Sequence, residues 1–179
     1  MMMMMMTTNN LKLIALLAGS AFVCVAQAAD GSVNFTGNII DNTCAVSTGS
    51  KTVTVPLGDV QATAFSGVGS TASPTNFSIL LEACPVAITT AAVKFDGPKD
   101  PINSELLQLT ENAGAEADGV AVGIYEQDTT TLIPIASKSK NEDVATTATF
   151  NFVAKYVATK STIRPGTAGA VSEFTITYN

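Results

Sequence analysis

Along most of this chain apolar and polar residues alternate one by one, in short runs broken by Gly, Pro, Ser and Thr. Period-2 alternation puts successive side chains on opposite faces of a β-strand, so each run predicts a strand with one buried face. Phe77, Ile79, Leu81 and Ala83 alternate in a run that leads to Cys84, and Pro85 helps to end it. Phe150, Phe152, Ala154 and Tyr156 share one face of a strand predicted over residues 147–159. In the closing run, residues 171–179, Phe174, Ile176 and Tyr178 oppose Glu173, Thr175 and Thr177. Residues 52–57 read as a strand in which Pro56 points to an edge or an end. Residues 92–95 form a short strand stopped by Asp96-Gly97-Pro98. Residues 119–126 alternate weakly, and residues 132–136 are a further candidate. Turn signals separate these runs: Thr48-Gly49-Ser50, the Gly/Ser/Thr/Pro-rich residues 62–75, and residues 163–169. Residues 99–117 are irregular, with at most one helical turn near 104–108. Seven or eight short strands without a long helical period predict an all-β fold, an antiparallel sandwich of immunoglobulin type, with a closed barrel as the alternative.

The stretch from Asp30 to Ile40 breaks this regularity. Val33, Phe35, Gly37 and Ile39 form an odd-numbered row against the polar Ser32, Asn34, Thr36 and Asn38. From Ile40 the phase changes, because Ile40, Cys44 and Val46 are even-numbered. A strand serving one core keeps one parity, since a one-residue slip turns every side chain to the other face. Two arrangements fit. Either the stretch serves two different cores, or it is an edge strand with a β-bulge near residue 39. Gly37 fits the first, because glycine inside a strand often marks the close approach of another backbone.

The residues before this stretch predict a leader. Lys12, the apolar run from Leu13 to Val25 and Ala26-Gln27-Ala28 have the order of a secretory signal peptide over residues 1–28. Cys24 falls inside its apolar run. Val23 before it is not the small residue of a lipoprotein site. No later run approaches the roughly 18 apolar residues of a membrane span. What remains, about 150 residues, is the size of one domain. The net charge is −6 over the whole chain, and more negative once Lys12 is set aside. That argues against a nucleic-acid or anionic-membrane partner, which requires a basic patch. Cys44 and Cys84 form an even pair in an exported chain, which predicts one disulfide.

Several chemistries are excluded outright. The chain has no His, so Ser-His-Asp and Cys-His catalysis and His-ligated zinc are absent. Asp96, Asp100 and Asn103 do not match a calcium-loop spacing. Paired carboxylates remain available in principle, Glu111 with Glu116 or Asp118, and Glu142 with Asp143. All lie in polar, turn-like sequence and read as solvated loop charges. There is no Trp for sugar stacking, although Tyr125, Tyr156 and Tyr178 are present.

The two ends carry a family resemblance. G-S-V-N-F-T-G-N-I-I-D-N-T-C occupies residues 31–44, and a second Cys follows 40 residues on. Near the C-terminus stand F-V-A-K-Y-V-A-T at 152–159, R-P-G at 164–166 and F-T-I-T-Y-N at 174–179. With these the chain resembles the structural pilin subunits of chaperone–usher fimbriae, the type 1 fimbrial major-subunit family, over essentially everything after the leader. In that family a Gly stands 14th from the C-terminus and an aromatic residue next to last, places held here by Gly166 and Tyr178.

The resemblance implies an incomplete immunoglobulin-like antiparallel β-sandwich that lacks its last strand and is completed by a donor strand from another subunit. A periplasmic chaperone fills the resulting groove first. At the outer-membrane usher the N-terminal extension of the next subunit replaces it, a mode of β-augmentation. Residues 29–39 are then the donor extension, with Val33, Phe35, Gly37 and Ile39 entering a neighbour's groove. Residues 40–179 are the pilin domain, with Gly166, Phe174, Ile176 and Tyr178 at the groove and the Asn179 carboxylate docking the chaperone. The change of phase near residue 39 gains a reason, and the bulge loses its appeal. The implied product is a homopolymeric fimbria at the cell surface, reached through the periplasm, with no catalytic residue, metal or cofactor. A minor adaptor or tip subunit with a binding role is the alternative. A secreted carboxylate hydrolase on a β-sandwich is the rival of another class.

Overall fold

A computed structural model describes residues 31, 33–37, 39 and 43–178. The predicted leader, the first residues of the strand expected from Ile40, and Asn179 lie outside the described residues. The chain divides into two compact units, Met1–Asn38 and Ile39–Asn179. In the first, Val33, Asn34, Phe35, Thr36 and Gly37 are exposed and have no regular secondary structure.

The second unit is built of two antiparallel sheets. β1 (Ala45–Val46), β2 (Thr71–Glu82), β6 (Ala148–Ala158) and β4 (Val120–Glu126) lie side by side in the order β1-β2-β6-β4. β5 (Glu142–Asp143), β3 (Thr90–Asp96) and β7 (Glu173–Tyr178) form the other sheet in the order β5-β3-β7. The inward faces meet as the sequence pattern requires. Ile79 and Leu81 of β2, Val93 and Phe95 of β3, and Phe150 and Phe152 of β6 are buried in one core. Four aromatic rings bind the sheets at its centre. Phe152 lies 5.5 Å from Phe77, 5.0 Å from Phe95 and 6.5 Å from Phe150, centroid to centroid. Edge-on and tilted pairs at these distances add to simple area burial. The architecture is the expected immunoglobulin-like sandwich, not a closed barrel.

Several elements differ from the alternation-based reading, each for a local reason. β4 alternates weakly because both of its faces are covered. Val120, Val122 and Ile124 face the main core, while Ala121 and Tyr125 join a second cluster with Leu106, Val153 and Val157. Its outer edge is closed by loop backbone: Leu107 and Val122 exchange N–H···O bonds of 2.8 and 3.0 Å, and Ile133 donates to Ile124 at 2.8 Å. The apolar residues at 132–136 are therefore the cover of an edge and not a strand. β2 begins at Thr71, inside the stretch read as a loop, because an irregularity between Ala72 and Thr75 hides its period. Ser73 sits there at φ 54°, and a strand register that shifts at a bulge loses parity in the sequence. β5, two charged residues long, has no apolar signal at all. Residues 52–57 keep the alternation of a strand yet belong to neither sheet.

Cys44 and Cys84 are bonded, with their Cα atoms 4.1 Å apart. The bond ties the residue before β1 to the residues after β2, where Ala45 already pairs with Glu82. Cross-linking residues 40 apart in sequence stabilises by about 4 kcal/mol on the chain-entropy account. Thiol labelling of the unreduced protein lacking its leader is expected to find no reactive thiol. Two labelled cysteines would contradict the pairing.

Candidate functional site

Two sheets have four edges, and each is a row of backbone groups that must be paired, shortened or charged if the protein is not to associate through it. Three of the four are managed in those ways. β1 is two residues long, β5 is a Glu-Asp pair, and β4 is closed by loop backbone. β7 is the exception. It is six residues long, pairs with β3 on one side from Ala91↔Tyr178 to Asp96↔Glu173, and has no backbone partner on its other side among the described residues.

The space beside that edge is an open, largely apolar cleft of about 720 Å³. One wall is Ala170 to Phe174, leading into and starting β7. The opposite wall is Val53, Val55 and Leu57. The floor is the sandwich core itself, including Phe77, Ile79, Phe95 and Ile124. A second hollow of about 570 Å³ shares Val55 and Leu57 with the first and continues past Phe65 on one wall and Ile163 to Gly169 on the other.

The wall at residues 51–60 explains the strand pattern that forms no strand. Among the described residues its backbone makes no hydrogen bond to another backbone group. Only the Ser73 and Thr75 hydroxyls reach it, at the carbonyls of Leu57 and Pro56. Val55 and Leu57 are half-buried because they face the cleft, and their alternation records that face. The cleft is thus flanked by the outer edge of β7, which is paired only with β3, and by extended chain that has no ladder partner among the described residues. Unpaired edges of this kind are rows of free N–H and C=O groups with which a further strand can pair.

The residues singled out from the sequence distribute along this feature. Phe174 lines the first hollow and Gly166 the second. Ile176 and Tyr178 lie on the same face of β7 as Phe174 but pack half-buried against the core, and the Tyr178 hydroxyl lies 3.5 Å from the Cys44 carbonyl. Val33 and Phe35 are 77% and 93% exposed in the first unit, and Ile39 is fully exposed in the second. Asn179 is outside the described residues.

Gly166 has a reason of its own. A Cβ there would meet the Ala115 carbonyl oxygen and the Ala117 nitrogen, both at 2.5 Å, and the carbonyl carbon of Glu116. Those atoms belong to a turn at residues 112–119, which overlaps the end of the stretch 99–117 that the sequence predicts as irregular. The turn and the groove wall are laced together. Asp118 and Arg164 exchange two backbone bonds of 3.0 Å, Ala117 donates to Thr167 and Thr167 to Ala115, both at 2.8 Å. On the groove side the Tyr156 hydroxyl donates to the Ala168 carbonyl at 2.9 Å. The signal for the turn was present in Asn112-Ala-Gly114-Ala-Glu116, a set of turn formers followed by an acceptor. No spacing rule connects it to residues some fifty positions later.

The candidate carboxylate pairs behave as structural anions. A Glu116 oxygen accepts N–H bonds from Asn112 at 3.1 Å and Gly114 at 3.0 Å. Its own backbone N–H together with these two holds its pKa below the usual carboxylate range. Asp118 is lowered mainly by Lys160, whose Nζ lies 2.7 and 2.8 Å from its two oxygens. An acid catalyst needs the opposite shift, a pKa raised toward neutrality. Glu142 and Asp143 are exposed on β5. Among the described residues no cluster of three metal-ligating side chains occurs.

Comparison with known proteins places this geometry. A family model described as fimbrial protein matches residues 33–179. The chain is 35% identical over 169 residues to the long polar fimbria protein A of Salmonella typhimurium, covering 94% of this chain and 93% of that one. It is similar to the crystal structure of a Burkholderia pseudomallei antigen and type I fimbria protein, at 42% identity and a TM-score of 0.59, over 83% of this chain and 97% of that one. The P pilus rod subunit PapA shares the fold at a TM-score of 0.64 and 18% identity, over 77% of this chain and all of PapA.

Proposed function

Since the chain belongs to the fimbrial protein family, whose members are structural pilus subunits of the cell surface and not enzymes, we propose that it is a shaft subunit that polymerises by donating its N-terminal strand to the open groove of its neighbour. The observation that carries this reading is the groove between β7 and residues 51–57. It has an apolar floor, and its walls are the free edge of β7 and an extended segment with no ladder partner among the described residues. The complement is in the same chain. The odd-numbered row of Val33, Phe35, Gly37 and Ile39 offers one apolar face, and Asn34 and Thr36 stand opposite.

The energetics favour the match. Burying Val33, Phe35 and Ile39 contributes about 1.5–3 kcal/mol each. Each new backbone hydrogen bond adds about 1 kcal/mol net, and here bonds form on both sides of the inserted strand. Ordering the extension costs about 1–2 kcal/mol per residue, which makes burial on both faces of the ladder necessary and not incidental. The contact is head-to-tail and does not close on itself, so it yields filaments. Until a neighbour arrives, an apolar cleft of this size needs cover, and a periplasmic chaperone strand fits the same place before delivery to an outer-membrane usher. Residues 29–39 act as the donor extension, and residues 1–28 direct export and are removed.

The test is a synthetic peptide of residues 29–42 added to the purified chain lacking its leader. It is expected to block polymerisation and raise the thermal midpoint in a concentration-dependent way, as any ligand of the native state does. A peptide with each neighbouring pair of residues exchanged, so that polar groups take the odd positions, is expected to do neither. Equal effects of the two peptides would remove the parity argument, and no effect of either would remove the groove.

A further inference from the structure

The second hollow of the groove has two unlike walls. Residues 51–60 make no backbone–backbone hydrogen bond among the described residues and are held by packing of Val55, Leu57 and Val60 and by the Ser73 and Thr75 hydroxyls, whereas Arg164 and Thr167 of the 163–169 wall are bonded through their backbone to the turn at 112–119. That turn is itself under tension-free but specific control. Ala113 and Gly114 both take left-handed conformations, at φ 50° and 84°. The two N–H groups that this shape leaves over, on Asn112 and Gly114, are collected by one carboxylate oxygen of Glu116. At the other end of the turn Asp118 is gripped by Lys160, the residue from which the wall sets out, with Nζ touching both of its oxygens. Arg164 adds a bond of 3.4 Å to the Gly114 carbonyl. Gly166 then lies directly on the backbone of residues 115–117, with no side chain to act as a spacer. The turn and the wall are therefore in direct backbone contact at this point.

We propose that Glu116 and the Asp118–Lys160 pair are positioning residues for strand insertion: by fixing the turn at 112–119 they set where the 163–169 wall stands, and so how long a strand seated in the groove remains there. The inference rests on the groove reading above and concerns residues that line no part of the groove themselves. An exposed ion pair and an exposed turn carboxylate add little to the stability of a domain. Their effect here is geometric, because the wall they hold faces a segment without backbone ladder bonds. An inserted strand must reach both walls at hydrogen-bond distance, so the place of the bonded wall sets the width it meets.

The experiment uses the purified chain lacking its leader and a fluorescent peptide of residues 29–42, with dissociation followed after addition of excess unlabelled peptide. Glu116→Ala and Asp118→Ala are each expected to shorten the residence time by about tenfold, the size of effect that substitutions outside a binding site produce through a coupled network. Their thermal midpoints without peptide stay close to the parent. Glu116→Gln, which keeps an oxygen acceptor for the two N–H groups, recovers most of the residence time. Exchanging the pair, as Asp118→Lys with Lys160→Asp, recovers more than either single change. Unchanged residence times in both alanine variants would overturn the proposal, as would residence times that fall only in step with the thermal midpoint. Failure of the parent chain to bind the peptide would instead overturn the groove reading itself.

Discussion

Gly37→Arg is expected to give a subunit that folds, keeps the Cys44–Cys84 bond and accepts an incoming strand, yet cannot serve as a donor. Gly37 is exposed, and a Cβ built there meets no atom within 4 Å, so the folded chain has room for a side chain at this position. The core of the sandwich is drawn from residues beyond it, beginning at Cys44. The obstacle arises only in the neighbour. Gly37 sits in the apolar row between Phe35 and Ile39, so insertion turns it toward the floor of the groove. Overpacking a close contact costs about 1–3 kcal/mol, and more when the group cannot turn away. Burying an unpaired guanidinium adds several kcal/mol, which exceeds what the three apolar anchors leave after ordering costs. The variant is to be mixed with the parent subunit and the SDS-resistant oligomers counted. The variant should appear only at the acceptor end of each oligomer. Its incorporation along the length of the polymers would take the donor role away from residues 33–39. A variant that failed to fold would show that the row belongs to the subunit's own core.

The contrast between that prediction and a core substitution shows which parts of this protein were legible in its sequence. The strands whose inner face meets the core and whose outer face meets water, such as the C-terminal run of β7, declare themselves by parity. The row from Val33 to Ile39 has the same parity, yet its described residues form no strand within this chain. The change of phase after it fits service to a second core. Where both faces of a strand are covered, as in β4 between the main core and the Leu106 cluster, alternation fades although the strand is among the best buried in the molecule. Residues 52–57 teach the converse. Alternation reports a half-buried extended chain and is silent about hydrogen bonds, so a wall of an empty groove has the same signature as a strand in a sheet. The cleft lies between the free edge of β7 and residues 51–57. The family resemblance implies a groove beside the C-terminal strand, but no spacing in the sequence brings residues 51–57 opposite it. Gly166 was picked out by its place near the C-terminus, but its physical reason, contact with the backbone of residues 115–117, depends on a turn fifty residues away.

Phe152→Ala is expected to have the largest effect on stability, and in a form that the groove makes measurable. Phe152 is 2% exposed and lies at the centre of the aromatic group, within 5.0 to 6.5 Å of Phe95, Phe77 and Phe150. Truncating a buried Phe to Ala costs about 3–5 kcal/mol, the upper part of the range applying where the surroundings cannot collapse. Here they are poorly placed to do so. β6 is held between β2 and β4, and Phe77 and Phe95 already line the open cleft, so the void adjoins the groove floor. Domains of this size are stable by about 5–15 kcal/mol, so a loss of this size removes a large part of the total. The variant should be largely unfolded alone at 37 °C. A ligand that binds only the native state returns stability in proportion to the logarithm of its concentration, by about 2.7 kcal/mol at a hundredfold excess over its dissociation constant. The peptide of residues 29–42 should therefore restore part of the lost thermal midpoint in Phe152→Ala, with a shift that grows steadily as peptide is added. A chemical-denaturation series with and without peptide decides it. If the peptide stabilises the parent chain but leaves the variant unfolded at every concentration, the groove floor and the aromatic centre are one cooperative unit, and insertion needs Phe152 in place. If the midpoint of Phe152→Ala without peptide equals that of the parent, the aromatic group is not what holds the two sheets together.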